Sequence, residues 1–332
     1  GPVPWCACAS VRCRTMLSVA VVHLLSWTPP QCAGHCTQRA AARARAAGMA
    51  LSPQVEALEF DAADAKSLDE VASFFVESFW LASTTFGDSV KLSAGERSQL
   101  VKKVTEDLGT RYRLLPDKRP ATLRGNTRES QPLFWTRLIL ARDPDGKIVG
   151  CAGIEASLFD TKTGAVLRCD QADRLVRAEL ETMNEVENEG AAEAYRDGGG
   201  IGALTSYVLK QKEELVAPYL RTYEPYALLA NLAVSPSFRR TGLGRELCAF
   251  CESGCEMWGM SDILLQVEEA NGAASKLYSA LGFEQIYRAD DAMSLRLSPS
   301  EKGFMGSLLP IENEELLREE PTTLVTMAKR VD

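Results

Sequence analysis

Residues 226–234 form a continuous apolar stretch that passes through Ser235-Pro-Ser-Phe-Arg-Arg-Thr-Gly-Leu-Gly-Arg245 directly into a helical pattern over 243–258. A strand that turns through two closely spaced glycines into a helix leaves few options for the fold around it. Gly242 and Gly244 let the backbone come close to an anion. The first turn of the helix leaves amide N–H groups without acceptors, and the helix dipole favours negative charge there. Arg239, Arg240 and Arg245 add positive charge to an acidic chain. No Gly-Lys-Ser/Thr follows, so this is not a Walker loop. The glycine spacing also differs from the dinucleotide fingerprint.

Around this segment the hydrophobic pattern alternates between strand and helix periods. Residues 55–60 read as a first strand. Residues 67–81 read as a helix capped by Ser67 with Glu70 three positions on, and 93–114 as a second helix with Ser93 and Glu96 in the same relation. Residues 116–132 are polar and read as loop. Strands over 133–141 and 147–157 are joined by the turn signal Asp143-Pro-Asp-Gly146. Residues 161–221 interrupt the alternation with an acidic helical stretch and read as an insertion. After the glycine loop and its helix come a strand over 262–267, a short helix over 271–281, and a strand pair over 283–289 and 292–297. The segment 298–332 reads as a loosely packed tail. Together these give one α/β domain over 51–300, carrying the insertion, with a leader over 1–50 and a tail over 301–332.

Two subtractions narrow the chemistry. The two histidines, His23 and His35, both fall in the first fifty residues. A body without histidine excludes Ser-His-Asp and Cys-His nucleophiles and histidine-based zinc sites, and no metal is expected. Those fifty residues hold five arginines and no acidic residue, so +5 of a net −8 belongs to them and −13 to the remainder. So acidic a body argues against a partner held through nucleic-acid phosphates and suits a basic acceptor. The apolar run 17–27 followed by a basic Ala/Arg segment reads as a signal peptide and then a transit peptide, which implies a plastid; the alternative is an untranslated segment, with Met16 or Met49 as the true start, and the location is otherwise expected to be cytoplasmic. No apolar run is long enough for a membrane span. Cys248, Cys251 and Cys255 share one side of a helix and read as small core side chains rather than metal ligands.

Two motifs in order carry a family resemblance: Arg239-x-x-Gly242-x-Gly244 after an apolar strand, then Asn271-x-x-Ala274-x-x-Leu277-Tyr278-x-x-Leu281-Gly282-Phe283. Together they resemble the GNAT superfamily of N-acetyltransferases, and the flanks Leu229-Ala-Asn-Leu-Ala-Val234 and Val267-Glu-Glu-Ala-Asn271 look like its plastid and cyanobacterial branch. The resemblance implies a mixed, mostly antiparallel central sheet flanked by helices, here with an inserted helical segment. It implies acetyl-CoA as cosubstrate. Leu232, Ala233 and Val234 would bond the pantetheine arm. Arg240, Thr241, Gly242, Leu243, Gly244 and Arg245 would wrap the pyrophosphate. Asn271, with Gly272 and Ala273 beside it, would bond the arm again, and Tyr278 would be the general acid.

The chemistry of those residues is consistent with such roles. A tyrosine of ordinary pKa about 10 stays protonated at neutral pH and can give a proton to a departing thiolate. An α-amine, of pKa about 7.7–8.0, is largely neutral near pH 8, whereas a lysine at about 10.4 needs a base. Glu155, Glu268 and Glu269 are the candidates for that base, with Asn231 placed to hold a water. The acceptor is expected to be a protein or peptide amine. A polyamine-like amine, or an inactive acyl-CoA-binding protein, are the competing readings. The oligomeric state and the role of the insertion are not readable from these residues.

Overall fold

The two strands that flank the glycine loop lie side by side and parallel. β5 (Tyr223–Val234) pairs with β6 (Asp262–Glu268) through Ala227↔Ile263, Leu228↔Leu264 and Leu229↔Leu265. In this computed structural model residues 52–82, 92–115, 135–172, 223–297 and 316–331 are described. They fall into two compact units. The larger contains 52–82, 92–115, 136–155, 227–297 and 316–331; the smaller contains 135, 156–172 and 223–226.

In the larger unit a helical turn, α1 (Pro53–Glu56), precedes β1 (Glu59–Ala62). Strand therefore starts later than the sequence pattern suggests: Pro53 favours the first turn of a helix and takes Val55 into it. α2 (Leu68–Phe75) continues as a π-helical turn over Val76–Leu81. Ser67 stands at its N-cap position but its hydroxyl makes no cap bond; it donates to the Asp64 carbonyl and accepts from the Asp64 amide. Glu70 is drawn instead to Arg142 across the sheet. α3 (Ala94–Arg111) has the expected capping box, with the Glu96 amide donating to Ser93 Oγ and Glu96 accepting from the Ser93 amide. It ends with Arg113 in a left-handed conformation (φ 56°) while the Leu114 amide closes on the Gly109 carbonyl, a Schellman-type stop.

β2 (Thr136–Arg142) and β3 (Ile148–Asp160) form an antiparallel pair through the Asp143–Gly146 turn. After β5 come α4 (Leu243–Met257), β6 and α5 (Gly272–Ala280). β7 (Glu284–Leu297) is one strand with irregularities after Gln285 and Ala289, not the strand pair expected there. Loose packing of the tail is also overturned. Leu317–Arg330 forms β8, which lies between β6 and β7 and is antiparallel to both. Its first half, Arg318 to Thr323, is polar and contains a proline, while Val325, Thr326 and Met327 in its second half are buried. The sheet order among the described residues is β1-β2-β3-β5-β6-β8-β7; β1–β2, β2–β3, β6–β8 and β8–β7 pair antiparallel and β5–β6 parallel. Cys248, Cys251 and Cys255 are buried free thiols in the core beside Leu247, Phe250 and Tyr278.

In the smaller unit β4 (Val166–Leu167) pairs with the end of β3, and Phe159 meets Tyr226 edge-on at 5.8 Å. The expected insertion falls mainly on 173–222, and the leader and the polar loop 116–132 fall on 1–51 and 116–134; these lie outside the described residues.

Candidate active site

Pairing between β5 and β6 stops at Leu229, although β6 keeps its register with β8 through Glu268↔Leu324. Asn231 interrupts β5 with φ 54°, a conformation that asparagine tolerates better than a branched residue. Beyond it β5 no longer follows β6. Helices α4 and α5 start just beyond the C-terminal ends of these two strands, so two helix N-termini face the place where parallel strands part. That is where open α/β sheets place ligands, and both termini favour anions.

The loop into α4 is shaped by two left-handed residues, Arg240 (φ 67°) and the N-cap Gly242 (φ 100°). The hydroxyl of Thr241 donates to the Phe238 carbonyl at 2.6 Å and pins the turn. The Arg245 and Glu246 amides already bond the Gly242 carbonyl, so the amides before them are the ones a helix start leaves to an outside acceptor. At Gly244 an added Cβ would find only Leu277 Cδ2 at 3.4 Å and Val234 Cγ2 at 3.9 Å, ordinary contacts. Packing within the protein does not demand glycine there. Leu243 is wholly buried and anchors the turn, while Arg240 and Arg245 are exposed.

Arg239 does not join the positive cluster. Its guanidinium donates to the carbonyls of Ser78 and Ala82, both at 3.0 Å, and of Val234 at 3.3 Å. It ties the glycine loop to the end of the π-helical turn, where unpaired carbonyls attract a cation. Leu232 and Val234 pack toward the core that holds Tyr278, while Ala233 faces the cluster on the other side of the sheet, as strand alternation requires.

Asn271 is the N-cap of α5: its Oδ1 accepts from the Ala274 amide at 3.1 Å. Gly272 and Ala273 beside it are exposed. Ala274, Leu277 and Leu281 pack against the core on the same side as Tyr278, the face expected from the sequence. Tyr278 is 7% exposed and meets Phe283 edge-on at 5.8 Å. Burial pushes its phenol well above the ordinary tyrosine range, and the Cys248 and Cys251 thiols act in the same direction.

Each candidate base has an arginine partner. Glu155 is wholly buried and ion-paired to Arg111 at 2.5 Å. Glu268 is held by Arg296 at 2.6 Å and by Ser294, and Glu269 by Arg288. Asn231 has protein partners at both ends of its side chain: its Nδ2 donates to Tyr112 Oη at 2.9 Å and its Oδ1 accepts from Arg111 Nη1 at 3.3 Å. Sequence reasoning missed Arg111 and Tyr112. A polar Asn231 inside an apolar strand was the available signal, since such a group requires partners.

A parallel pair that parts at Asn231, with a glycine-containing helix start on one strand and an asparagine-capped helix on the other, is the arrangement that the resemblance to acetyltransferases implies. Residues 102–283, more than half of the chain, match the model of the acetyltransferase (GNAT) family, and the chain belongs to that family. It is 34% identical over 79 residues to GCN5-related N-acetyltransferase 10, chloroplastic, of Arabidopsis thaliana, covering 24% of this chain and 31% of that protein. It is 41% identical over 59 residues to ribosomal protein bS18-alanine N-acetyltransferase of Escherichia coli (strain K12), covering 18% of this chain and 40% of the relative. These matches thus span well under two thirds of either relative. Among solved structures, ribosomal-protein-S18-alanine N-acetyltransferase from Escherichia coli aligns at TM-score 0.35 and 14% identity over 83% of this chain and 94% of that one. Among the described residues no group of His, Cys, Asp or Glu is arranged to hold a metal ion, and no helix is long and apolar enough to cross a membrane.

Proposed function

We propose that this chain is an acetyl-CoA-dependent N-acetyltransferase whose acceptors are protein N-terminal α-amines. The observation that supports it most is the open helix start at Gly242–Arg245 beside the parting of β5 from β6. A diphosphate fits that start: the first amides of α4 face outward, Gly244 has room, and Arg240 and Arg245 supply charge. In this reading Arg240, Thr241, Gly242, Leu243, Gly244 and Arg245 hold the diphosphate. Leu232, Ala233 and Val234, freed from β6, offer backbone groups to the pantetheine arm, with Asn271, Gly272 and Ala273 opposite. Acetyl-CoA supplies an acetyl group activated as a thioester. The amine nitrogen bonds to the carbonyl carbon, the carbon–sulfur bond breaks, the departing sulfur takes the phenolic proton of Tyr278, the amine releases its extra proton to solvent, and Tyr278 regains a proton from solvent. A backbone N–H near Leu232 to Val234 stabilises the oxyanion as it forms.

The choice of an α-amine rests on the tethered carboxylates. Glu155, Glu268 and Glu269 each have an arginine partner. If none of these three acts as the base, deprotonating a lysine at pH 8 costs roughly 3 kcal/mol, while an α-amine costs almost nothing. The Escherichia coli relative is a ribosomal protein bS18-alanine N-acetyltransferase, which supports a protein acceptor. Residues 1–50 would carry the chain to a plastid, 51–300 would form the catalytic domain with an insertion near 161–221, and 301–332 would complete its sheet.

The test is incubation of residues 51–332 with acetyl-CoA and a peptide mixture, read by mass spectrometry. Acetylation confined to N-termini supports the reading. Acetylated lysines or polyamines alone move the acceptor class, and no transfer with acetyl-CoA bound leaves a binding protein.

A further inference from the structure

We infer that Arg111 and Tyr112, at the C-terminal end of α3, are positioning residues that hold Asn231 in its left-handed conformation and so set where β5 leaves β6. The inference rests on the reading of the parted strands as the acyl-transfer site.

Three contacts converge on Asn231. Its Nδ2 donates to Tyr112 Oη at 2.9 Å, its Oδ1 accepts from Arg111 Nη1 at 3.3 Å, and its backbone carbonyl accepts from the Cys151 thiol at 3.5 Å. Each partner is itself fixed. Arg111 is ion-paired at 2.5 Å to Glu155 of β3, which is wholly buried. Tyr112 lies over Gly153 of β3 so closely that a Cβ there would sit 1.8 Å from its hydroxyl oxygen. Burial pushes the Tyr112 phenol up, so it stays protonated.

The direction of the clamp is what matters. β5 lies between β3 and β6 in the sheet. Arg111, Tyr112 and Cys151 all bind Asn231 from the β3 side or through β3. Pairing toward β6 ends two residues earlier, at Leu229. The clamp thus draws β5 toward β3 where it must part from β6, and aims Leu232, Ala233 and Val234 into the site. A buried Arg–Glu pair and a buried phenol are costly to desolvate and add little net stability over an apolar core. A non-glycine residue at positive φ within a strand is strained as well. Both features sit at one residue, beside the site, which marks positioning rather than general packing.

Asn231→Ala, Asn231→Gly and Tyr112→Phe in residues 51–332 separate the possibilities. Alanine and glycine remove the same side-chain contacts, but only glycine reaches φ 54° freely. Acetyl transfer to an N-terminal peptide is expected to lose about tenfold or more in kcat in Asn231→Ala, to be largely restored in Asn231→Gly, and to fall several-fold in Tyr112→Phe, with KM for the peptide little changed. Amide hydrogen exchange over 229–234 reads the same geometry without any activity: exchange should quicken in Asn231→Ala and Tyr112→Phe and less so in Asn231→Gly. If Asn231→Gly is no better than Asn231→Ala in either readout, or Asn231→Ala behaves as the parent protein, the clamp is overturned. If the parent protein transfers no acetyl group yet the exchange pattern holds, the function fails and the clamp stands.

Discussion

The phenol of Tyr278 lies edge-on to Phe283, ring centroids 5.8 Å apart, at the end of the helix that starts beside the strand parting. Phenylalanine at 278 would keep that contact and remove only the hydroxyl. Tyr278→Phe should therefore lower kcat by about 10²- to 10⁴-fold, the usual worth of a placed acid. Acetyl-CoA affinity by calorimetry and the melting temperature should stay nearly unchanged. Unaltered turnover removes Tyr278 from the reaction.

Gly244 supplies a cleaner probe of the anion site than Gly242. Gly242 sits at φ 100°, so any side chain there costs about 1–2 kcal/mol through the backbone alone. Gly244→Ala meets only ordinary contacts at 3.4 Å and beyond. Its melting temperature should hold or rise slightly, since alanine suits a helix better than glycine. If the amides of this turn grip a diphosphate, the Kd for acetyl-CoA should rise about tenfold or more while the fold is untouched, a methyl group at the contact costing at least 1.4 kcal/mol. Unchanged affinity would place the diphosphate elsewhere.

These two tests concern residues that were legible in the sequence, for a physical reason. The glycine turn, the N-cap Asn271 and the helix face of Tyr278 are local features, read from neighbours three or four positions away. The capping box of α3 is local too. What stayed hidden depends on distant partners. Nothing near Arg111 in sequence shows that it meets Asn231 and Glu155. Nothing near Arg239 shows that its charge serves the carbonyls of Ser78 and Ala82 instead of an anion. β8 was missed because its first half, Arg318 to Thr323, is polar with a proline, and its buried residues come only at Val325 to Met327.

The Arg239 contacts predict a stability defect in place of a binding defect. Hydrogen bonds from a charged donor contribute about 1.5–3 kcal/mol each when buried. Here the side chain is partly solvated, so Arg239→Ala should cost about 2 kcal/mol by denaturant titration. Lysine has one ammonium and cannot span both Ser78 and Ala82, so Arg239→Lys should recover less than half. A variant of normal stability with weakened acetyl-CoA binding would instead return Arg239 to the anion site.

The pH profile follows from Tyr278 and the acceptor. Burial raises the phenol above its ordinary value, so the acid limb should not appear below about pH 10. The rate with an N-terminal peptide should climb through about pH 8, as the amine loses its proton, and then level. The sign for stability is the reverse. Above about pH 10 the unfolded chain gives up tyrosine protons that folded Tyr278 and Tyr112 retain. Stability should therefore be level below that pH and fall above it. A rate that declines between pH 8 and 9, with the protein still folded, contradicts Tyr278 as the proton donor.

Met327 tests whether the C-terminal segment is part of the core. It is 5% exposed on β8, opposite Leu265 of β6 on one side and Gln285 of β7 on the other. Met327→Ala leaves a cavity in the core packed on that face of the sheet, at a cost of about 2–5 kcal/mol. Deleting 316–332 does more, since it exposes the edges of β6 and β7 at once, and unpaired edges seek other chains. The truncated protein should be insoluble or dimeric through those edges. The point variant should be monodisperse with a melting temperature lower by several degrees, because β8 supplies packing that the strands on either side lack. A soluble truncated protein with the parent's melting temperature would show that β6 and β7 close on each other without it.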